Sequence, residues 1–202
     1  MMIENEEFWE LYDAQGNRKY MTAEEREAFL NAIPGALNGH SGRIKRTFIL
    51  LLYYSGCRIT EALELTAGRI DYDQQGAVFR TLKRMKKKNT FRFVPLPSPF
   101  MDKLDDVHHI KDFAHKDPDR AIWNFSRQTG WRAVKDVMEH AGIKGIQATA
   151  HGLRHSFVIA HQQRKTPPHM IQAWAGWTSA QMLSVYGRVF GDEEREMAAQ
   201  IW

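Results

Sequence analysis

The segment Ala150-His151-Gly152-Leu153-Arg154-His155-Ser156 places two imidazoles and one guanidinium within five positions, directly before the apolar run 157–160. If this segment begins a helix, His151 lies about one turn before Arg154 and His155. Side chains three or four residues apart are neighbours on a helix surface. One helix face would therefore carry two groups that can hold an anion.

Two aromatic residues downstream, Trp177 and Tyr186, complete an ordered set with this segment. When an oxygen nucleophile attacks a phosphodiester, negative charge builds on the non-bridging oxygens, and fixed cations stabilise it most in the transition state. Arginine binds two phosphate oxygens with its planar fork, and a deprotonated tyrosine hydroxyl can be the nucleophile. Taken singly, a His-x-x-Arg pair is typical of a surface or a helix cap, and Tyr186 of a half-buried core residue. The ordered set is what favours phosphoryl chemistry.

A second arginine is expected, because one guanidinium is rarely enough to hold a phosphate. Arg58 follows an apolar predicted helix and the turn 55–57, at the start of another amphipathic helix. Burying an arginine beside apolar surface costs free energy unless an anion or a carboxylate compensates its charge. Glu61, one turn further on, is placed to orient it. The alternative is an ordinary Arg–Glu pair on a helix surface.

A cationic segment lies between two strand-like runs, 77–82 and 90–94. Its five cationic residues are Lys83, Arg84, Lys86, Lys87 and Lys88. This hairpin tip is either a solvated charged turn or a surface that meets a phosphate backbone and supplies one lysine as a general acid. Arg127 and Arg132, near a helix predicted to be capped by Thr129, either lie along a groove in DNA or form a solvated face.

Composition limits the class of protein. The 202 residues are 43% hydrophobic and 11% aromatic, enough for one good-sized domain with a real core. The net charge of +4 and a pI of about 9.2 are compatible with a polyanionic partner. The single cysteine, Cys57, excludes an internal disulfide and a thiolate metal site. With no signal peptide and no apolar run long enough to span a membrane, we expect a cytoplasmic protein.

Two local predictions concern other segments. A helix beginning at the capping box of Thr22 and Glu25 is predicted to run through about Ile33 and to be stopped by Pro34 and Gly35. Segment 107–119 is predicted to be a loop, and its three histidines lack the spacing of metal ligands. We therefore expect no metal.

The ordered set resembles the catalytic domain of the tyrosine recombinase (phage integrase) family. Segment 56–63 is similar to its first arginine box, segment 151–157 to its His-x-x-Arg box, and segment 175–179 with Tyr186 to the part that carries the nucleophile. The resemblance implies an α+β, mainly α-helical fold with a small antiparallel β-sheet or hairpin on one edge. The implied organisation is an N-terminal arm (1–20), a catalytic domain (21–190) and a C-terminal tail (191–202) that is a candidate for exchange between protomers.

The resemblance also implies a catalytic set and its roles. Tyr186 would attack a DNA phosphodiester and form a 3′-phosphotyrosyl link, while two arginines hold the non-bridging oxygens. His151 would be a general base or proton relay, and Lys83, with Lys87 as the alternative, would protonate the leaving 5′-oxygen. Glu61 and His155 would support the site. The complete implied catalytic set is Arg58, Lys83, His151, Arg154, Trp177 and Tyr186. No cofactor is needed, since the covalent link conserves the bond energy.

Two departures from the family pattern stand out. Trp177 occupies the position of a usual histidine, as in Cre-like members, and an indole N–H donates one hydrogen bond but cannot shuttle a proton. We also expect the chain to lack the family's N-terminal core-binding domain, as the short Fim-type recombinases do.

The implied partners are a double-stranded DNA recombination site and three further copies in a homotetramer on two sites. Where the reaction requires an accessory protein, that protein would be a DNA-bending protein or a partner recombinase. The alternative functions are a catalytically silent DNA-binding regulator of the same fold and a DNA-relaxing enzyme of the type IB topoisomerase kind.

Overall fold

A computed structural model describes residues 11–81 and 90–177. The elements within those two ranges are α1 Ala23–Ala36, α2 Gly39–Ser55, α3 Ile59–Leu63, β1 Ile70–Asp71, β2 Gly76–Thr81, β3 Thr90–Pro95, α4 Ser98–His108, α5 Ile110–Lys116, α6 Arg127–His140, α7 Ala150–Gln163 and α8 Pro168–Ala175. The prediction of an α+β, mainly helical fold with a small antiparallel sheet is confirmed.

The sheet has the strand order β1-β2-β3, and both pairs are antiparallel. Phe79 of β2 pairs with Arg92 of β3, and Thr81 with Thr90. Helix α3 packs near β2 and α8 near β3. The sheet therefore lies beside α3, which follows Arg58, and α8, which precedes Trp177. Residues 82–89, which connect β2 to β3, lie outside the described residues.

Most of the buried apolar side chains in the described ranges form one cluster, to which α2 contributes. Phe48, Leu51 and Leu52 are fully buried there, and the Phe48 ring meets the Trp123 ring edge-on at 5.5 Å. Burial of such side chains stabilises a fold by about 1.5–3 kcal/mol each. A second, smaller cluster joins the segment before α1 to α7 and α8; its members are Leu11, Phe157, Val158, Ile159, Ile171, Ala175 and Trp177.

The segment before α1 is fixed to α7. The Met21 amide donates to Ser156 Oγ at 2.7 Å, and this hydroxyl donates to the Gly152 carbonyl one turn earlier in α7. Glu25, in the capping box of α1, also accepts from Arg18 and from Gln147, just upstream of α7. These contacts hold the start of α7 against the N-terminal segment.

Helix α1 continues past Pro34 to Ala36, so the predicted end at Pro34 is wrong. Arg46 of α2 donates from Nη2 to the Pro34 carbonyl at 3.0 Å and from Nε to the Leu37 carbonyl at 2.7 Å. A side chain from the next helix therefore satisfies the carbonyls that the end of the helix leaves open.

Segment 107–119 is largely helical, so the predicted loop is wrong. His109 takes a left-handed conformation (φ 53°) that ends α4, and α5 begins at once. Asp105 Oδ1 accepts from the Lys111 amide at 2.9 Å, and Ile110 is buried. Within the described ranges no group of three or more histidine, cysteine or carboxylate residues is placed to hold a metal ion.

The predicted cap of α6 is also wrong by one turn. The helix begins at Arg127 because Ser126 Oγ accepts from the Thr129 amide at 3.1 Å. Arg127 is therefore in the first helical turn. Among the helices that the structure describes, none is both long and apolar enough to cross a membrane.

Candidate active site

A glycine turn sets the position of Arg58. Gly56 ends α2 with φ 59°, in the left-handed region that favours glycine, and a Cβ there would lie 2.6 Å from the ring of Phe157. Two residues later Arg58 becomes the N-cap of α3. The turn thus brings Arg58 from the end of the buried helix α2 to the molecular surface beside α7.

Glu61 binds both the main chain and the side chain of Arg58. This carboxylate is 1% exposed; Oε2 accepts from the Arg58 amide at 2.9 Å and Oε1 from Arg58 Nη1 at 3.0 Å. Burial alone would raise the pKa of Glu61, but the charge and hydrogen bonds of Arg92, with the charge of Arg154, lower the net pKa. Glu61 is therefore a carboxylate anion at neutral pH that accepts two hydrogen bonds from Arg58.

The start of α7 needs a glycine inside the His-x-x-Arg segment. Thr149 caps the helix by accepting from the Gly152 amide at 3.0 Å. A Cβ at Gly152 would lie 1.9 Å from the Gln147 carbonyl oxygen, so a larger residue cannot be placed without moving the backbone. This close approach fixes the first turn of α7, on which His151 is exposed at the surface while Arg154 and His155 are buried.

Arg154 connects the two other segments singled out in the sequence, 56–63 and 175–179. Its guanidinium donates from Nη1 to the Gly56 carbonyl at 2.6 Å and from Nη2 to the Ala175 carbonyl. The side chain is 3% exposed. One buried cation therefore ties the turn before Arg58 to the C-terminal end of α8, where the helix dipole favours positive charge.

These elements surround one cleft of about 290 Å³. Its lining residues within the described ranges are Cys57, Arg58, Ile59, Thr60, Arg127, Trp131, Thr149, Ala150, His151 and Arg154. The two arginines that are distant in sequence, Arg58 and Arg154, thus face a common space with His151. Because three guanidiniums and no carboxylate line the described part of this cleft, its chemistry suits an anion.

Histidine protonation is disfavoured here. Although His151 reaches the surface, the protein around its ring excludes enough water to lower its pKa, and the charges of Arg154, Arg58 and Arg127 lower it further. Burial, together with His151, Arg154 and Lys19, lowers the pKa of His155 to about 3. Both imidazoles are therefore neutral at pH 7. A neutral His151 at the cleft can accept a proton, whereas His155 lies beneath it and fills the core side of α7.

Two of the remaining predicted site residues, Trp177 and Arg132, do not line the described part of the cleft. Trp177 is 7% exposed in the second apolar cluster, and its amide donates to the Gln172 carbonyl at 3.1 Å. Arg132 is exposed on α6 but does not line the described part of the cleft. Six predicted residues lie outside the described ranges: Lys83, Arg84, Lys86, Lys87, Lys88 and Tyr186.

Two residues of the site are absent from the sequence-based prediction. Trp131 lines the cleft with 46% of its surface exposed, next to Arg127 on α6. Arg92 lies behind the cleft and binds both oxygens of Glu61. Its signal was present in the sequence: strand periodicity places Arg92 on the same face as Val94, which is buried.

Comparison with known proteins agrees with this architecture. The family model described as the phage integrase family matches residues 19–192. Tyrosine recombinase XerD of Mycobacterium leprae (strain TN) is 30% identical over 196 residues, covering 90% of this chain and 60% of that protein. Tyrosine recombinase XerA of Pyrococcus furiosus is 28% identical over 190 residues, covering 88% of this chain and 60% of that protein. The chain thus spans about 60% of the length of these curated relatives.

Solved structures share the fold. One is the XerH site-specific recombinase bound to palindromic difH substrate, in a post-cleavage complex. The match covers 94% of this chain and 55% of the XerH chain, with a TM-score of 0.75 and 21% identity. The catalytic domain of bacteriophage HP1 integrase matches 90% of this chain and 93% of its own, with a TM-score of 0.61 and 18% identity. With the family model covering most of its residues, the chain belongs to the phage integrase family.

Proposed function

We propose that this chain is a site-specific DNA recombinase that cuts and rejoins DNA through a covalent 3′-phosphotyrosine intermediate. The observation that carries the proposal is the cleft that Arg58, His151 and Arg154 line together. The relatives support it, since they are named tyrosine recombinases and XerH was solved on a DNA substrate after cleavage.

In the proposed reaction the Tyr186 oxygen forms a bond to phosphorus as the bond from phosphorus to the 5′-oxygen breaks. Arg58 and Arg154 bind the non-bridging oxygens, whose negative charge grows in the transition state. The phenol proton goes to His151 directly or through a relay. The lowered pKa of His151 keeps its imidazole neutral at pH 7, so that the ring can accept this proton. Lys83, or Lys87 in its place, protonates the leaving 5′-oxygen. Reversal of these steps with a new 5′-hydroxyl rejoins the strands.

DNA would reach the cleft across the cationic surface around it. Arg127 and Trp131 stand at the cleft, where a guanidinium can bind a neighbouring phosphate and an indole can pack on a sugar or base. We assign further backbone contacts to Arg132 and to the cations of the hairpin: Arg84, Lys86, Lys87 and Lys88. Trp177 would support the phosphate from the second apolar cluster.

The proposed assembly is a homotetramer on two double-stranded recombination sites, aided by a DNA-bending protein or a partner recombinase where the reaction requires one. The arm (1–20) and the tail (191–202) flank the catalytic domain (21–190), and the tail is the segment proposed to exchange between protomers. The protein would act in the cytoplasm, on the nucleoid.

The test is a trapping experiment that works without a known target sequence. Nicked duplexes with randomised arms are incubated with the chain; cleavage releases a short oligonucleotide, so that the covalent adduct cannot religate. Adducts are recovered under denaturing conditions and their DNA is sequenced. We expect enrichment of one sequence with wild type and no adduct with Tyr186→Phe. A Tyr186→Phe protein that still forms the adduct would contradict the nucleophile assignment.

A supercoiled plasmid then separates the possible outcomes. Recombinant products that appear only when the plasmid carries the enriched sequence support the proposal. Relaxation of a plasmid without that sequence identifies a topoisomerase. Binding to DNA with no adduct on any substrate identifies a DNA-binding regulator.

A further inference from the structure

Arg92 is a strand residue that contacts Glu61 but does not line the described part of the cleft. It is 9% exposed and its guanidinium makes four hydrogen bonds. Two go to Glu61, from Nη1 to Oε1 at 3.2 Å and from Nη2 to Oε2 at 2.7 Å. The other two go from Nε to the Trp174 carbonyl at 2.9 Å and from Nη1 to Thr81 Oγ1 at 3.1 Å. Three separate elements of the site thus meet on one side chain.

Each oxygen of Glu61 is shared between the two arginines. Oε1 accepts from Arg58 Nη1 and Arg92 Nη1, and Oε2 accepts from the Arg58 amide and Arg92 Nη2. A fork that binds both oxygens fixes the plane of a carboxylate, which a single contact cannot do. The carboxylate plane in turn sets the direction of the Arg58 guanidinium.

The balance of charges also indicates that Arg92 affects Arg58. One carboxylate between two guanidiniums leaves a net positive charge, so Glu61 does not neutralise Arg58 completely. If Arg92 lost its charge, Glu61 would pair with Arg58 alone, and the cleft would attract a phosphate less strongly.

Arg92 also fixes the end of α8. Its Nε bonds the Trp174 carbonyl in the last turn of that helix, and a Cβ at Gly176 would lie 3.1 Å from the guanidinium. Arg154 bonds the adjacent Ala175 carbonyl. Arg92 therefore relates the end of α8 to the same carboxylate that orients Arg58.

We propose that Arg92 is a positioning residue of the reaction: through Glu61 it orients Arg58 towards the scissile phosphate and preserves its positive charge. This inference rests on the proposed function. It predicts that loss of Arg92 resembles loss of Arg58 in its chemistry, beyond any loss of stability.

The discriminating measurement compares two DNA substrates of the enriched sequence. One carries the ordinary phosphodiester and the other a methylphosphonate at the cleavage position, in which a methyl group replaces one non-bridging oxygen and removes the charge. When a guanidinium that binds the non-bridging oxygens is missing or misplaced, the rate should fall less on the methylphosphonate than on the phosphodiester. Less negative charge develops on the methylphosphonate in the transition state, so less is lost with the cation. Rates of covalent adduct formation are measured in single turnover.

We expect Arg58→Ala and Arg92→Met to shift the rate ratio towards the methylphosphonate, each by roughly tenfold or more. Arg92→Lys retains the charge without the fork and should shift the ratio less. The matched controls are Arg80→Met, a partly exposed arginine on the neighbouring strand, and Val94→Ala, a buried residue of β3 whose truncation lowers stability. Both should keep the wild-type ratio. Equal slowing of Arg92→Met on both substrates, or wild-type rates on both, would overturn the proposal.

A second readout is independent of activity. The side-chain ¹⁵N–¹H resonance of Arg58, assigned by its loss in Arg58→Lys, should move in Arg92→Met and Arg92→Lys without DNA and stay in place in Arg80→Met. An Arg58 resonance unmoved in both Arg92 variants would refute the positioning role. If wild type forms no adduct, the proposed function fails while this resonance still decides the role of Arg92. Arg92→Lys serves should Arg92→Met fail to fold.

Discussion

At the scale of single residues, close packing accounts for the glycine inside the His-x-x-Arg segment. Gly152 contributes no chemistry, yet the Gln147 carbonyl approaches it so closely that a Cβ has no room. The first turn of α7 can therefore start where it does only with glycine, and this start places His151 on the surface and Arg154 inside. The positions of His151 and Arg154 therefore depend on a residue that has no side chain.

Substitution of Gly152 should show this directly. Gly152→Ala should lower the free energy of unfolding by about 3 kcal/mol, the upper part of the range for overpacked interiors. Gly142→Ala is the matched control, since Gly142 has φ 70° but a Cβ added there would have no atom within 4 Å. Its cost should be about 1 kcal/mol, from the left-handed conformation alone. Urea unfolding measures both; equal losses would contradict the packing argument.

The buried imidazole of His155 predicts a pH dependence of stability. An unfolded histidine binds a proton near pH 6.5, whereas burial with His151, Arg154 and Lys19 nearby lowers the folded pKa to about 3. Between these values the unfolded state binds more protons, so stability falls as the pH is lowered, by up to about 1.4 kcal/mol per pH unit. The stability that the neutral His155 contributes is fully present above pH 6.5.

His155→Gln should flatten the dependence of the unfolding free energy on pH over this range. His108→Gln provides a comparison, because burial lowers the pKa of His108 to about 4 and its window is narrower. Unfolding free energies measured from pH 7 downwards decide the matter. A His155→Gln protein with the wild-type slope would show that His155 is not the group responsible.

At the scale of elements, a short helix depends on one buried carboxylate. Helix α3 has five residues, too few to be stable by itself, and Glu61 binds both its N-cap residue and β3. The sheet edge and the end of α2 are thereby joined through α3. Tertiary contacts hold this helix, which explains why it can carry Arg58 at its N-cap position.

Removal of Glu61 should be costly because it leaves buried positive charge. Glu61→Ala should reduce the free energy of unfolding by about 3–5 kcal/mol, as expected when one partner of a buried pair is lost. Glu64→Ala removes an exposed carboxylate 3.8 Å from Arg80, and should cost less than about 1 kcal/mol. Chemical denaturation gives both values. A small loss for Glu61→Ala would mean that Arg58 and Arg92 are held by other contacts.

The sequence was sufficient for elements whose patterns are local. The strand-like runs 77–82 and 90–94 predicted β2 and β3, and the apolar helix predicted before Arg58 corresponds to α2. It was insufficient where a distant residue decides the outcome, as when Arg46 satisfies the end of α1 beyond Pro34. Strand periodicity indicates that Arg92 is buried, but it does not reveal the partner Glu61, which is remote in sequence and which only the fold brings close.

At the scale of the whole molecule, the N-terminal segment completes the core on the side of α7 and α8. Leu11 is 4% exposed and packs in the second cluster with Phe157 and Trp177. The Met21 amide reaches Ser156 on the same helix. The segment before α1 is thus part of the surroundings of Trp177.

Leu11→Ala should therefore destabilise the protein by about 2–5 kcal/mol, the usual range for a buried leucine. Its neighbour Tyr12 is 44% exposed, so Tyr12→Ala should cost much less. Thermal unfolding of the two variants tests this. Equal midpoints would show that the N-terminal segment does not contribute to the core.

The central claim is that Arg58 and Arg154 hold one DNA phosphate for attack by Tyr186. Its most direct test is mass spectrometry of the trapped adduct after digestion by protease and nuclease. We predict that the nucleotide is attached to the peptide containing Tyr186 through a 3′-phosphate, and that the released strand has a free 5′-hydroxyl. A nucleotide on another residue, or a link through a 5′-phosphate, would contradict the account.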